Sequence, residues 1–336
     1  MKIRVLELFA GIGACSSALS RLNIEHEIVD AVEIDKFAIK SFNAIHGTNF
    51  EIQDIMSWDK DVTADLIMHG SPCQDFSLAG KQQGGDINSG TRSSLMYEAI
   101  RIVGKLRPKY VVWENVKNLL SAKHKHNFKV YLSTMKSLGY VNYYQVLNAK
   151  DYGVPQNRER IFTISVRKDV DKGFEFPPKQ ELEMRLKDIL ENNVEEKYYI
   201  NNAQLERMRK TNYESGKFEN RVRNEDGIAP TLCARDYKDP KCVAIRIGGI
   251  FDKENKQHQA GSIWDIEGIS PTLDTMQGGY RQPCIITQMK EEFKIRKLTP
   301  KECWRLMGFT DEEFNRAAKF SSNSQLYKQA RKFYCC

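Results

Sequence analysis

No apolar run in the 336-residue chain approaches the ~20 residues needed to cross a bilayer, which excludes a membrane-spanning helix. The opening Met1-Lys2-Ile3-Arg4-Val5-Leu6 runs straight into a strand pattern without a charged, apolar and small-residue leader, so the chain is expected to stay in the cytosol. Its eight cysteines, at 15, 73, 233, 242, 284, 303, 335 and 336, form no Cys-x-x-Cys pair, and no histidine stands at zinc-finger spacing. Neither a disulfide framework nor a structural zinc is indicated. What is present is 41% hydrophobic residues at a mean hydropathy of −0.54. That describes a globular chain long enough for one large domain and a smaller one around a sizeable core. The net charge of +7 suits a polyanionic partner, because Lys and Arg that neutralise phosphates release condensed counterions. Charge alone is weak evidence, since many basic proteins bind no nucleic acid.

Residues 3–9 read as a short buried strand, followed by Ala10-Gly11-Ile12-Gly13 and a helix over 14–22. The pattern repeats, with strands over 28–32, 65–69, 110–113, 141–147 and 160–166 and helices over 36–45, 93–106 and 128–138. Such alternation implies an α/β fold built on a parallel, doubly wound sheet, with ligands bound beyond the carboxyl ends of the strands. From about Phe174 the period is lost, Pro177-Pro178 marks a break, and the chain stays polar and irregular to about 290. This gives domains over 1–174 and 175–292, with 293–336 returning to the first through helices over 301–307 and 311–320. Gly227-Ile228-Ala229-Pro230-Thr231-Leu232 recurs as Gly268-Ile269-Ser270-Pro271-Thr272-Leu273, each followed by a Cys-x-x-Ile strand pattern at 242–245 or Cys284-Ile285-Ile286. Two copies are too few for a solenoid and suit two similar hairpins in one small β domain.

The chemistry-bearing residues fall at the strand ends. Phe9-Ala10-Gly11-Ile12-Gly13 is a strand-to-helix turn where glycine permits close approach of a ligand, and Glu33 ends the next strand, where a carboxylate can hold ribose hydroxyls. Gly-x-Gly alone is equally a tight turn. Ser71-Pro72-Cys73-Gln74 follows the third strand and opens a Gly- and Ser-rich loop, putting a thiol at the ligand edge of the sheet, where a nearby cation can favour the thiolate. A lone cysteine is otherwise an inert small hydrophobe. Trp113-Glu114-Asn115-Val116 brings a carboxyl to the same rim, and thiol with carboxyl suits attack on an electron-poor ring. In Gln156-Asn157-Arg158-Glu159-Arg160 the two arginines share one face of an extended segment, where they can steer a phosphate or base oxygen, lower the thiol pKa, or form surface salt bridges.

In this order, the blocks Phe9–Gly13, Gly70–Ser77, Glu114–Val116, Gln156–Arg160 and Arg296-Lys-Leu-Thr-Pro-Lys-Glu-Cys-Trp-Arg-Leu-Met-Gly-Phe309 closely resemble the DNA cytosine-5 methyltransferase family of bacterial and phage restriction-modification type. The resemblance implies the doubly wound mixed sheet of S-adenosylmethionine-dependent methyltransferases with a smaller, mostly β or irregular second domain. It implies transfer of a methyl group from S-adenosylmethionine to C5 of a flipped-out cytosine in a specific double-stranded DNA sequence, through a covalent adduct of Cys73 with C6. It further implies that Cys73, Glu114, Arg158 and Arg160 are catalytic, and that Phe9, Gly11, Gly13, Glu33, Ile34, Asp54, Pro72 and Leu95 surround the cofactor. Residues 175–292 would be a target-recognition domain, with Gln74, Ser77, Thr231, Leu232, Arg235, Thr272 and Leu273 at the DNA and Arg235, Lys238, Lys241 and Arg246 as candidate phosphate contacts. No metal is implied. The expected protein is a monomer acting on double-stranded DNA in the cytoplasm at the nucleoid, with a cognate restriction endonuclease as a further partner. Two alternatives stay open: a tRNA cytosine-5 methyltransferase, and a catalytically impaired DNA-binding remnant.

The remnant reading comes from the tail, which departs from the family after Ala330. Where Gly-Asn-Ser-Ile-Val-Val is expected to follow, the chain reads Arg331-Lys-Phe-Tyr-Cys-Cys336. Preceded by A and shifted in frame, the codons GGA AAT TCT ATT GTT GT become AGG AAA TTC TAT TGT TGT, which encode that tail. A frameshift near codon 331 is therefore expected: resequencing with downstream DNA should reveal a Gly-Asn-Ser continuation one base away, and its absence would refute the frameshift.

Overall fold

The computed structural model describes residues 2–72, 92–199, 246–249, 262–264, 270–271, 284–289 and 292–332. They group into two compact units, one of Met1–Asn148, Glu159–Lys179 and Met307–Cys336, the other of Ala149–Arg158 and Gln180–Leu306. The excursion over 149–158 and the return at Met307 are features that boundaries drawn at 174 and 292 do not carry. The expected Cys-x-x-Ile strand at 242–245 and the Gly227–Leu232 half of the repeat lie outside the described residues. Among the described residues no helix is long and apolar enough to cross a membrane.

In chain order the first unit begins β1 (Ile3–Leu8), α1 (Ala14–Arg21), β2 (His26–Val32), α2 (Lys36–His46), β3 (Leu66–His69), α3 (Met96–Leu106), β4 (Tyr110–Val116), α4 (Lys125–Ser137) and β5 (Tyr140–Asn148). The short strand β6 (Gln156–Asn157) belongs to the second unit, and β7 (Glu159–Arg167) returns to the first. The six strands of the first unit lie in the order β2-β1-β3-β4-β7-β5. Strands β1 to β4 pair in parallel as the alternation implies, but β7 is antiparallel to both β4 and β5. The parallel sheet expected from alternation is corrected on this point, and the mixed sheet that the family resemblance implies is the one found. A parallel crossover needs about a dozen residues or more, and the link over 149–158 holds no α-helix, only a turn of 3-10 helix at Ala149–Tyr152, so the chain turns back on itself.

The sheet is covered on both faces, as alternate side chains of its strands require. Leu6, Leu8, Ile67, Val111 and Trp113 face α3 and α4, packing with Ile102, Val103, Tyr131 and Met135. Val5 and Leu66 on the opposite face meet Leu19 of α1, while Ala10 and Ala31 meet Ile39 and Phe42 of α2. Strand β4 runs three residues past the expected end at Trp113, because its ladder with β7 continues to the Val116–Arg160 pair although Glu114 and Asn115 interrupt the apolar run.

The second unit holds a four-stranded sheet in the order β12-β11-β9-β8, from β8 (Arg246–Gly249), β9 (Ser262–Trp264), β11 (Cys284–Met289) and β12 (Glu292–Lys297). A parallel pairing of β10 (Ser270–Pro271) with β6 is separate. The unit ends on α5 (Pro300–Arg305), where Thr299 and Glu302 form a capping box and Pro300 fills the first turn. Back in the first unit, α6 (Asp311–Ala318) opens on a second capping box, Thr310 with Glu313, and α7 (Asn323–Lys332) follows. Both dock on α2: Arg316 Nη1 donates to Ile45 O at 2.9 Å, and Gln329 Nε2 donates to Phe37 O at 3.0 Å.

Gly13 has φ +82°, and a Cβ there would stand 2.0 Å from His46 Nε2 and 2.9 Å from the Phe42 ring, whereas Gly47, at φ +67°, faces open space. Gly13→Ala is therefore expected to cost about 2 kcal/mol or more in urea unfolding, and Gly47→Ala only about 1 kcal/mol; equal losses would contradict the crowding at Gly13.

Candidate active site

The turn after β1 is held open by backbone conformations that most residues avoid: φ is +55° at Phe9, +61° at Gly11 and +82° at Gly13. A non-glycine residue at positive φ is strained, and Phe9 keeps that conformation while packed against the main core. Glu33 follows directly on β2 and is buried. Its Oε2 accepts from Gly11 N–H at 3.0 Å and its Oε1 from Asp35 N–H at 2.8 Å, so one carboxylate binds the β1 turn to the start of α2. Asp35 then caps α2, accepting from Phe37 N–H at 2.9 Å. The Ile34 side chain is 66% exposed, and exposed Asp54 accepts from Met56 N–H at 3.0 Å. Leu95 packs on the core at the start of α3, and Pro72 follows buried Ser71 beyond β3. A glycine cradle with a carboxylate and an exposed apolar side chain beside it has the donor set and shape that a nucleoside cofactor requires.

Across the sheet from this turn, Glu114 in β4 pairs with Arg160 in β7, Nε to Oε1 at 3.0 Å, with both side chains mostly buried. The two positions are diagonal neighbours on one face of an antiparallel ladder, within reach of long side chains. Arg160 also donates from Nη1 to the Glu159 carbonyl at 2.7 Å. Glu159 lies on the opposite face, as expected, and takes Lys117 Nζ at 2.7 Å. Because β3 stands between β1 and β4, the chain leaving β3 through Ser71-Pro72 rises between the glycine turn and Glu114.

Arg158 belongs to the second unit and is 4% exposed. Its backbone N–H donates to Gln156 O at 3.0 Å, and its carbonyl accepts from Ala149 N–H at 3.0 Å. Cys73, Gln74, Ser77, Thr231, Leu232, Arg235, Lys238, Lys241, Thr272 and Leu273 lie outside the described residues, and Arg246 opens β8.

Several polar residues that the sequence reading passed over sit directly beneath these ends. His69 closes β3 fully buried, its Nε2 3.3 Å from Tyr131 OH, and burial brings its pKa down to about 3. Glu7 in β1 accepts from Ser16 N–H at 3.0 Å and from the Ser16 hydroxyl, so it grips α1 just past the glycine turn. Burial pushes its carboxyl up to about 7, the Ser16 bonds only partly offsetting that. The signal for Glu7 was available: one acid inside an otherwise apolar strand is out of place unless it has a local partner.

A family model described as C-5 cytosine-specific DNA methylase matches residues 3–331. The Type II methyltransferase M2.ScrFI of Lactococcus lactis subsp. cremoris is 32% identical, the match covering 98% of this chain and 94% of that protein. The orphan methyltransferase M.SPBetaI of Bacillus phage SPbeta is 30% identical over 98% of this chain and 94% of its own length. Among solved structures, the Entamoeba histolytica methyltransferase EhMeth shares the fold at a TM-score of 0.70 and 18% identity, covering 100% of this chain and 95% of that one.

Since the pKa of Glu7 is raised on folding, the stability it lends is whole below pH 4.5 and is lost as pH rises through about 7. That loss is on the order of 3 kcal/mol at full extent. Glu7→Gln should flatten the fall in urea midpoint between about pH 5 and about pH 8; a variant with the parent's pH profile would show that this carboxyl is not the group responsible.

Proposed function

The chain belongs to the C-5 cytosine-specific DNA methylase family, and from that premise we propose a division of labour among its residues. The reaction is methyl transfer from S-adenosylmethionine to C5 of cytosine in DNA. Phe9, Gly11, Gly13, Glu33, Ile34, Asp54, Pro72 and Leu95 hold the cofactor. When bound, it would supply an electrophilic methyl group.

Cytosine C5 is a poor nucleophile, and Cys73 changes that by adding its thiolate sulfur to C6, which makes C5 enamine-like. Glu114 holds the N3 edge of the ring while the electrons shift, and Arg160 orients that carboxyl. After C5 has gained its substituent, loss of the C5 proton and departure of the Cys73 sulfur restore the aromatic ring. Arg158 orients the active-site loop and the base. None of these steps is available inside a stacked duplex, so the base is flipped out, at a cost of a few kcal/mol that phosphate contacts offset. Residues 175–292 read the target sequence, with Gln74, Ser77, Thr231, Leu232, Arg235, Thr272 and Leu273 at the DNA. The protein acts as a monomer in the cytoplasm at the nucleoid, alongside a cognate endonuclease.

The observation that carries this reading is the ion-paired Glu114 at the end of β4, one strand from the Ser71-Pro72 exit of β3 and two from the closed glycine turn. Cys73→Ser is expected to lower methyl transfer to DNA by at least about a thousandfold, measured with labelled cofactor, while bisulfite sequencing of DNA from cells expressing the parent reveals the recognition sequence. A serine variant as fast as the parent, or a parent that labels tRNA in preference to DNA, would overturn the assignment.

A further inference from the structure

The last residues of β3 and β4 carry a buried cluster to which the reaction scheme gives no part. His69 and Trp113 are register partners, their rings stacked with centroids 5.8 Å apart and planes 10° from parallel. Trp113 also meets Tyr131 at 4.0 Å between centroids, His69 and Tyr131 themselves lie 6.0 Å apart, and the indole, 1% exposed, is held within this aromatic cluster. From that position Nε1–H donates to the Ser71 hydroxyl at 3.0 Å. Asn115 Nδ2 donates to the Ser71 carbonyl at 3.4 Å, with the Ser71 hydroxyl at 3.5 Å. Asn115 is itself oriented, its side-chain oxygen accepting from Val116 N–H at 2.9 Å.

A buried indole N–H must have an acceptor. Here the acceptor is a side chain on the segment that leaves β3, two residues before Cys73 in sequence, and that residue draws on two donors from β4. Filling the core does not require this arrangement, since a phenyl ring would pack beside His69 and Tyr131 without any donor. Trp113 and Asn115 flank Glu114 and point to the face opposite it. The three residues that meet Ser71 on one face and Arg160 on the other are therefore consecutive in one strand. We propose that Trp113 and Asn115 are positioning residues that, through Ser71, fix the take-off point of the Cys73 segment against the Glu114 carboxyl. This rests on the reading of Cys73 as nucleophile and of Glu114 as its partner at the base.

The test uses Trp113→Phe, Ser71→Ala and the double variant of the full chain. Each single change should lower kcat about tenfold and slow covalent trapping on 5-fluorocytosine DNA to match, with KM for S-adenosylmethionine unchanged. The double variant should be no slower than the slower single, because both remove one interaction. Iodoacetamide alkylation of Cys73, followed by peptide mass spectrometry, supplies a readout independent of turnover and should change at least about threefold in both singles. Parent-like kcat and alkylation, additive losses in the double variant, or kcat and cofactor KM moving together would overturn the proposal. If Trp113→Phe does not fold, Ser71→Ala decides alone on the same readouts. A parent that transfers no methyl group refutes the assigned reaction instead, and the anchor is then judged on Cys73 alkylation.

Discussion

Strand β4 serves two faces at once, because successive side chains on an extended chain point to opposite sides of the sheet. Val111, Trp113 and Asn115 are buried toward the helices, while Glu114 turns the other way to meet Arg160. The strand is held from both edges, in parallel register with β3 from Tyr110 to Trp113 and antiparallel with β7 from Tyr110 to Val116. The reversal of β7 matters here: only an antiparallel neighbour puts Arg160 diagonally across from Glu114 on the same face. A one-residue slip in β4 would exchange the faces, burying the carboxyl against Tyr131 and exposing the indole. The packing of the core and the placement of the Glu114 carboxyl are thus one constraint.

The buried acids of the first unit, Asp30 and Glu7, and Glu302 of the second differ in the partners that surround them. Asp30 accepts from Ala31 N–H, Gln53 Nε2, Trp58 Nε1 and Lys60 Nζ, and although burial alone would raise its pKa, those partners hold it below the ordinary value. Glu302 accepts from Arg296 at 2.8 and 2.7 Å and from the N–H groups of Thr299 and Glu191. Such a bidentate guanidinium with further donors is the arrangement in which a buried ion pair offsets its desolvation. Glu7 has no cation, and the donors from Ser16 and Cys15 leave its carboxyl at about 7. Asp30 and Glu7 are similarly buried, and their partners set them apart.

Much of the first unit was legible because its signals are local. The apolar runs at 3–9 and 110–113, the Asp35 cap before α2 and the Thr299-Pro300 start of α5 each encode an element within a few residues, and the elements fall within a few residues of where those signals put them. The strand reversal at β7 was not legible from periodicity, which reports whether a segment is extended and not which way its ladder runs; only the family resemblance implied a mixed sheet. The Trp113–Ser71 bond spans 42 positions and pairs two residue types that have ordinary roles elsewhere, so no spacing rule singles it out. Glu114 with Arg160 lies between these cases: both residues were picked as candidates from the motifs, yet their meeting depends on β7 running backwards. The side chains proposed to read DNA at 74–77, 231–235 and 272–273 lie outside the described residues, and no spacing rule at those positions says which base edge a side chain would meet.

The Glu33 carboxylate shows how one side chain can tie two elements together. Each of its oxygens accepts one backbone N–H, from Gly11 and from Asp35. An aspartate, one methylene shorter, would not reach both N–H groups from the same backbone position. Gln53 N–H fixes the Glu33 carbonyl at 3.0 Å, which anchors the residue from its main chain as well. Three contacts, two at the carboxylate and one at the main chain, thus fix Glu33 against the glycine turn.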